Sequence, residues 1–131
     1  MNSPVVLTQR DVRELQLASG AIRAGVTTLL KNAGLQTKDL QAVLIAGGFG
    51  SFIRRNNAQQ VGLLPADIDR HRIHYVGNVS LSGAKWALLS TQARDEAEEL
   101  ARRTQHVELS TDLNFQTEFA EALVFPTNVS V

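Results

Sequence analysis

The chain has 131 residues, 44% hydrophobic and 20% charged, which suits one domain with a true core and excludes a disordered chain. Thirteen Lys and Arg balance thirteen Asp and Glu, so the chain as a whole carries no basic footprint for nucleic acid or an anionic membrane surface. Without Cys, this chain has no disulfide, thiolate zinc site, cysteine-ligated iron–sulfur cluster or catalytic thiol.

Thr8 caps a first helix, with Asp11 three positions on as its reciprocal acid. Val12, Leu15, Ala18, Ile22, Val26, Leu29 and Leu30 then recur at steps of three and four, the spacing of one helix face. Gly34 ends the helix as a left-handed stop. Gly20 and Gly25 inside it each cost about 1 kcal/mol against Ala, which points to close packing against a neighbour. The run Ala42 to Ala46 lacks alternation and is expected to be a strand buried on both faces. Gly47-Gly48-Phe49-Gly50 follows at once. A second helix is predicted over 56–61, a strand over 72–76 and a third helix over 79–89. A fourth spans 92–103, with Glu98–Arg102 and Glu99–Arg103 as i,i+4 pairs on a solvated face. Val107 to Leu109 is expected to be a last strand, before a final helix over 112–123 with Phe115, Phe119 and Leu123 on one stripe. Trp86 and Phe119 are assigned to the core.

Strand centres near residues 44, 74 and 108 are the pitch of successive strand–helix units in a parallel sheet, so the fold class is α/β. Three short strands are few for such a sheet and leave buried-type strands at its edges. The chain is therefore expected either to form a homodimer or to be part of a larger polypeptide, and the second reading is favoured. Residues 1–6 read as an added remnant or a frayed terminus, 7–125 as the domain and 126–131 as a tail. No apolar run approaches a membrane span and no leader opens the chain, so a cytoplasmic protein without membrane partners is expected.

The most chemical feature is the junction from Ala42 to Gly50. Glycines just beyond the carboxyl end of a parallel strand let a ligand approach the backbone with no Cβ in the way. The same glycines also suit a tight turn that binds nothing. Two familiar phosphate motifs fail here: a dinucleotide fingerprint lacks its third glycine at Ile53, and Gly77 to Gly83 has the wrong length for a P-loop, with Ala84 before Lys85. The small residues of Gly77 to Ala84 suit close helix packing better than an anion site. His71 and His74 lack a third ligand at sensible spacing, so no metal site is assigned. Arg54 and Arg55, beside the glycine turn, are either phosphate contacts or a surface cap.

Leu7 to Ala18, Gly20 to Gly25, Ile45-Ala46-Gly47-Gly48-Phe49-Gly50, Val61 to Pro65, Val76-Gly77-Asn78, Leu81 to Ala84, Glu108-Leu109-Ser110 and Phe115-Gln116 form one ordered string. From Leu7 to Phe125 this string resembles the C-terminal domain of the reductive activators of corrinoid proteins. Those are iron–sulfur proteins with an ATPase of the acetate kinase, sugar kinase, heat-shock ATPase and actin (ASKHA) superfamily. The resemblance implies a partial ribonuclease-H-like or actin-like subdomain, a short, mainly parallel sheet flanked by helices.

It also implies that Gly47, Gly48 and Gly50, with Ser51 as a weaker candidate, form the adenosine motif that cups the nucleoside of ATP. The helix after Gly77-Asn78 resembles the second connecting helix at the interdomain hinge. The superfamily's two phosphate loops and magnesium-positioning acid are not found in this chain, so it is expected to be non-catalytic alone. The implied larger protein uses ATP and magnesium to drive electrons from an iron–sulfur cluster, held in a domain outside this chain, to cob(II)alamin on a corrinoid protein. Its partners are then that corrinoid protein and the remaining ASKHA subdomain, with no nucleic acid. The alternatives are a dimerisation or protein-interaction module, and an unrelated small α/β ligand-binding protein.

Overall fold

Thr8 and Asp11 open the first helix as the sequence predicts. In the computed structural model, which describes residues 5–48 and 53–127, the Thr8 N–H donates to Asp11 Oδ2 at 2.8 Å and the Asp11 N–H donates to Thr8 Oγ1 at 3.3 Å. Helix α1 (Gln9–Asn32) closes on Ala33. There the Gly34 N–H reaches the Lys31 carbonyl at 3.0 Å and the Leu35 N–H reaches the Leu30 carbonyl at 2.9 Å. This is a Schellman closure, which needs the left-handed φ of +68° that Gly34 adopts.

Strand β1 (Val43–Ala46), helix α2 (Arg55–Gln60), strand β2 (Ile73–Gly77), and helices α3 (Val79–Leu89), α4 (Thr91–Arg103) and α5 (Leu113–Ala122) follow. The two strands run parallel, pairing Val43 with Ile73, Leu44 with His74 and Ile45 with Tyr75, with an irregularity between Ile45 and Ala46. Among the described residues the sheet has these two strands alone. The expected third strand is corrected: Val107 to Leu109 lies outside any strand.

The tertiary structure decides which face of α1 is buried, and the close packing expected at Gly20 and Gly25 is on that face. The large apolar stripe is not the core, since Ile22 and Leu29 are each 48% exposed. Ser19, Gly20, Ala24, Gly25 and Thr28 are buried instead, and α1 packs against α5. A Cβ on Gly20 would sit 3.1 Å from the Ala122 carbonyl oxygen, so only a glycine admits α5 this closely. Gly25 is less constrained, its nearest neighbour being Leu109 Cδ1 at 3.6 Å. Lys31 pairs with Glu118, and Arg23 Nη2 donates to the Val124 carbonyl at 2.7 Å. These bonds hold α5 and the residues after it against α1.

Large side chains on α1 face the sheet across a gap. Ile22, Val26, Leu29 and Leu30, with β1, Leu63 and Leu64, line an apolar groove of about 640 Å³. The burial expected on both faces of β1 is likewise not met, because Leu44 is 65% exposed and Ala46 is exposed too, as are His74 and Val76 on the neighbouring β2. An apolar run reports what a strand needs as cover, not whether this chain supplies it.

A second buried cluster surrounds α2. Ala58, Ile68 and Ile73 are buried, and buried Gln59 donates from Nε2 to the carbonyls of Pro65 at 3.0 Å and Ile68 at 2.9 Å. Arg70 then bonds Gln59 Oε1 and Asn56 Oδ1. By contrast, α3 and α4 bury no residue. Trp86, expected in the core, is 70% exposed. Phe119 is half-buried, its ring stacked on Phe115 with centroids 6.1 Å apart. Arg102 and Arg103 pair with Glu98 at 3.8 Å and Glu99 at 4.0 Å, exposed pairs that contribute little. No helix among the described residues is long and apolar enough to cross a membrane.

Candidate functional site

The parallel pairing brings the carboxyl ends of β1 and β2 together, β1 running directly into Gly47 and β2 ending at Gly77. Gly47 has φ +102° and Gly77 has φ +68°, and the Gly47 N–H donates to the Gly77 carbonyl at 2.8 Å. Left-handed backbone at both positions turns the chain out of the sheet, a conformation that side chains with a Cβ rarely adopt. Among the described residues, no heavy atom beyond the chain neighbours lies within 4 Å of where a Cβ would stand on Gly47, Gly48 or Gly77. Among those residues, no side chain covers the backbone at this rim of the sheet.

Such a rim suits a flat, polar-edged group better than a lone ion. Polar main-chain groups lie along it, and a ring system can approach with no side chain intervening. Gly47 and Gly48, two of the predicted site residues, stand on this rim. Gly50 and Ser51 lie outside the described residues.

Of the neighbouring arginines, Arg54 is the residue before α2 and Arg55 is its first. The Arg55 guanidinium lies 5.2 Å from the centroid of the Tyr75 ring, a cation–π contact. Tyr75 also donates its hydroxyl to the Ile53 carbonyl. Sequence reasoning missed both Tyr75 and the pairing of Gly77 with Gly47. The available signal was that each predicted strand ran directly into a glycine.

At the start of α3, Asn78 Oδ1 accepts from the Leu81 N–H at 3.0 Å. Gly83, on the same helix, has open space where a Cβ would stand. The close packing expected of these small residues therefore has no partner among the described residues. Nor does any group of three or more metal-ligating side chains converge there.

A family model for the C-terminal domain of RACo, the ASKHA domain, matches residues 1–130. The chain is 38% identical over 127 residues to the corrinoid activation enzyme RamQ of Eubacterium limosum, covering 97% of this chain and 21% of that protein. It is 29% identical over 113 residues to the [Co(II) methylated amine-specific corrinoid protein] reductase of Methanosarcina barkeri, covering 85% of this chain and 21% of that one. The solved structure of a reductive activator for corrinoid, iron–sulfur protein superposes with a TM-score of 0.83 at 43% identity, over 92% of this chain and 19% of the other. The chain thus spans about a fifth of the length of the relatives it matches.

Proposed function

The chain belongs to the family of RACo C-terminal, ASKHA domains, and from that premise we propose that it is the nucleotide-binding C-terminal half-domain of an ATP-dependent reductive activator of corrinoid proteins. One observation carries the nucleotide assignment: the paired glycines at the carboxyl ends of β1 and β2 leave a rim of backbone open to a nucleoside. Gly47 and Gly48 hold the nucleoside through close backbone contact, with Gly50 and Ser51 as the further candidates. Family membership sets aside an unrelated small ligand-binding protein.

Bound MgATP supplies a phosphoryl group whose transfer requires positioned cations and donors around the phosphates. The superfamily's two phosphate loops and magnesium-positioning acid, which would supply them, are not found in this chain's sequence. Its part is to bind and orient the nucleoside, and alone it is not catalytic. An iron–sulfur cluster does not fit its residues, because the chain has no Cys. The cluster belongs to another part of the activator, which acts in the cytoplasm on a corrinoid protein, returning cob(II)alamin to cob(I)alamin.

Two unfilled surfaces fit a domain that meets the rest of such a protein. The 640 Å³ groove and the bare face of β1 are apolar and lack cover. Helix α3, placed as the connecting helix, presents exposed Leu81, Trp86, Leu88 and Leu89 together with the open Gly83. A nucleotide that binds one arrangement of the two halves more tightly shifts the population toward it, by no more than that difference in affinity.

The same exposed helix favours a second reading, a homodimerisation or protein-interaction module. One experiment separates the two. Gly48→Val in the full-length activator puts a branched side chain into the open rim. It abolishes nucleotide binding and ATP hydrolysis while the protein stays folded. Undiminished ATPase activity sinks the nucleotide assignment, and a dimer disrupted by Trp86→Asp with nucleotide binding intact favours the second.

A further inference from the structure

The two strands match residue for residue as far as Ile45 and Tyr75, and then β2 carries one residue more. Ala46 stands opposite Gly77 and not Val76, so the extra residue is Val76. A bulge of this kind re-aims the end of a strand. Here it delivers a glycine to the rim, where the Gly77 carbonyl accepts the Gly47 N–H at 2.8 Å. Gly77 leaves β2 with φ +68°. One residue later Asn78 caps α3, its side-chain oxygen accepting from the Leu81 N–H at 3.0 Å and its carbonyl from the Ser82 N–H at 3.2 Å. The carbonyl that holds Gly47 is thus fixed from both sides, by the β1–β2 pairing before it and by the helix cap after it.

We propose that Gly77 is a positioning residue for nucleotide binding: its left-handed backbone, brought to the rim by the extra residue at Val76, holds the Gly47 amide so that Gly47 and Gly48 meet the nucleoside already in place. This rests on the nucleotide assignment made above. Gly77 itself need not touch the ligand. A residue with a Cβ disfavours a φ of this sign, and Asn is among the side chains that tolerate it best. Among the described residues a Cβ on Gly77 would meet no heavy atom within 4 Å, so a substitution there changes backbone preference and not packing. When only a fraction of molecules holds the binding-competent backbone, Kd rises by the inverse of that fraction.

In the full-length activator, Gly77→Ala keeps the left-handed conformer in about a tenth to a fifth of molecules. Isothermal titration of MgADP is expected to show Kd raised about five- to tenfold at unchanged stoichiometry. In turnover, KM for ATP rises in step while kcat holds. Hydrogen exchange quickens at the Gly47 amide but not at the Ala58 amide, which bonds the Arg54 carbonyl at α2. Gly77→Asn, which restores tolerance of the left-handed backbone, returns Kd to within about twofold of the unaltered protein. A residue needed only for folding would instead lower the number of binding sites and leave Kd alone.

Gly48→Val, run beside these variants, tells the two ideas apart. If it leaves Kd unchanged, or the unaltered protein binds no nucleotide, the glycine assignment and the role of Gly77 fall together. If it abolishes binding while Gly77→Ala stays within about twofold of the unaltered protein, the role of Gly77 alone is overturned. Should Gly77→Ala not fold, Gly77→Asn decides. A Kd near that of the unaltered protein upholds the role, and one raised about fivefold or more at full stoichiometry overturns it, because the cost then lies in the added side chain and not in the backbone.

Discussion

Gly20 and Gly25 lie on one helix, five residues apart, yet replacing each by Ala is expected to move stability in opposite directions. In a helix interior Gly→Ala gains about 0.5–1 kcal/mol, largely by restricting the unfolded chain. At Gly25 nothing offsets that gain, since the new methyl meets Leu109 Cδ1 at 3.6 Å, an ordinary contact. At Gly20 it meets the Ala122 carbonyl, its oxygen at 3.1 Å and its carbon at 3.3 Å. That neighbour is backbone and cannot rotate away.

Nor is α5 free to retreat, being held by the Lys31–Glu118 pair and the Arg23 bond to the Val124 carbonyl. Overpacking of this kind costs about 1–3 kcal/mol, so Gly20→Ala is left destabilising by about 1 kcal/mol after the helix gain. Urea denaturation followed by far-UV circular dichroism reads both, the midpoint rising for Gly25→Ala and falling for Gly20→Ala at constant slope. Equal stabilisation by the two substitutions would refute the claim that the α1–α5 contact requires a glycine.

Gln59→Leu is expected to cost about 2–4 kcal/mol, because the Pro65 and Ile68 carbonyls and Arg70 lose partners in a buried setting. A loss below 0.5 kcal/mol on the same urea assay would show that the buried amide does not organise this loop (about the spread of a neutral surface change). Asp11 predicts a pH effect. Its carboxyl is held below the ordinary value chiefly by the Thr8 hydroxyl and then by the Thr8 N–H. Between the two values the unfolded state binds more protons, so stability rises with pH there. The contribution is complete above the ordinary Asp pKa of 3.8 and is lost as pH falls through the lowered folded value. Thermal midpoints measured from neutral pH downward are expected to fall less steeply in that window for Asp11→Ala, and identical slopes would remove Asp11 as the cause.

Local chemistry was readable without coordinates. The Thr8–Asp11 box, the Gly34 stop and the helix spans each depend on residues within a turn of one another, so the sequence holds all the interacting parties. The strand running into Gly47 was legible for the same reason. The partner of that glycine was not. Gly77 and Tyr75 reach the site only through parallel pairing, which joins residues about thirty positions apart and leaves no local trace.

Patterning misled where it was asked to name the cover as well as the need for it. Helical periodicity placed the large side chains of α1 on one face, the apolar run pointed to burial on both faces of β1, and Trp86 was assigned to the core. Those residues do form apolar surfaces, but among the described residues no element closes over them. What the sequence determined by itself was the helices, the Thr8 cap, the Gly34 stop and the two strands that run into glycine, because backbone conformation and capping are short-range. Only the tertiary structure decided that the small face of α1 receives α5, that two glycines meet at one rim, and that Tyr75 ties Ile53 to β2. Each of those depends on how closely distant backbones approach, which is set by packing and not by any neighbouring residue.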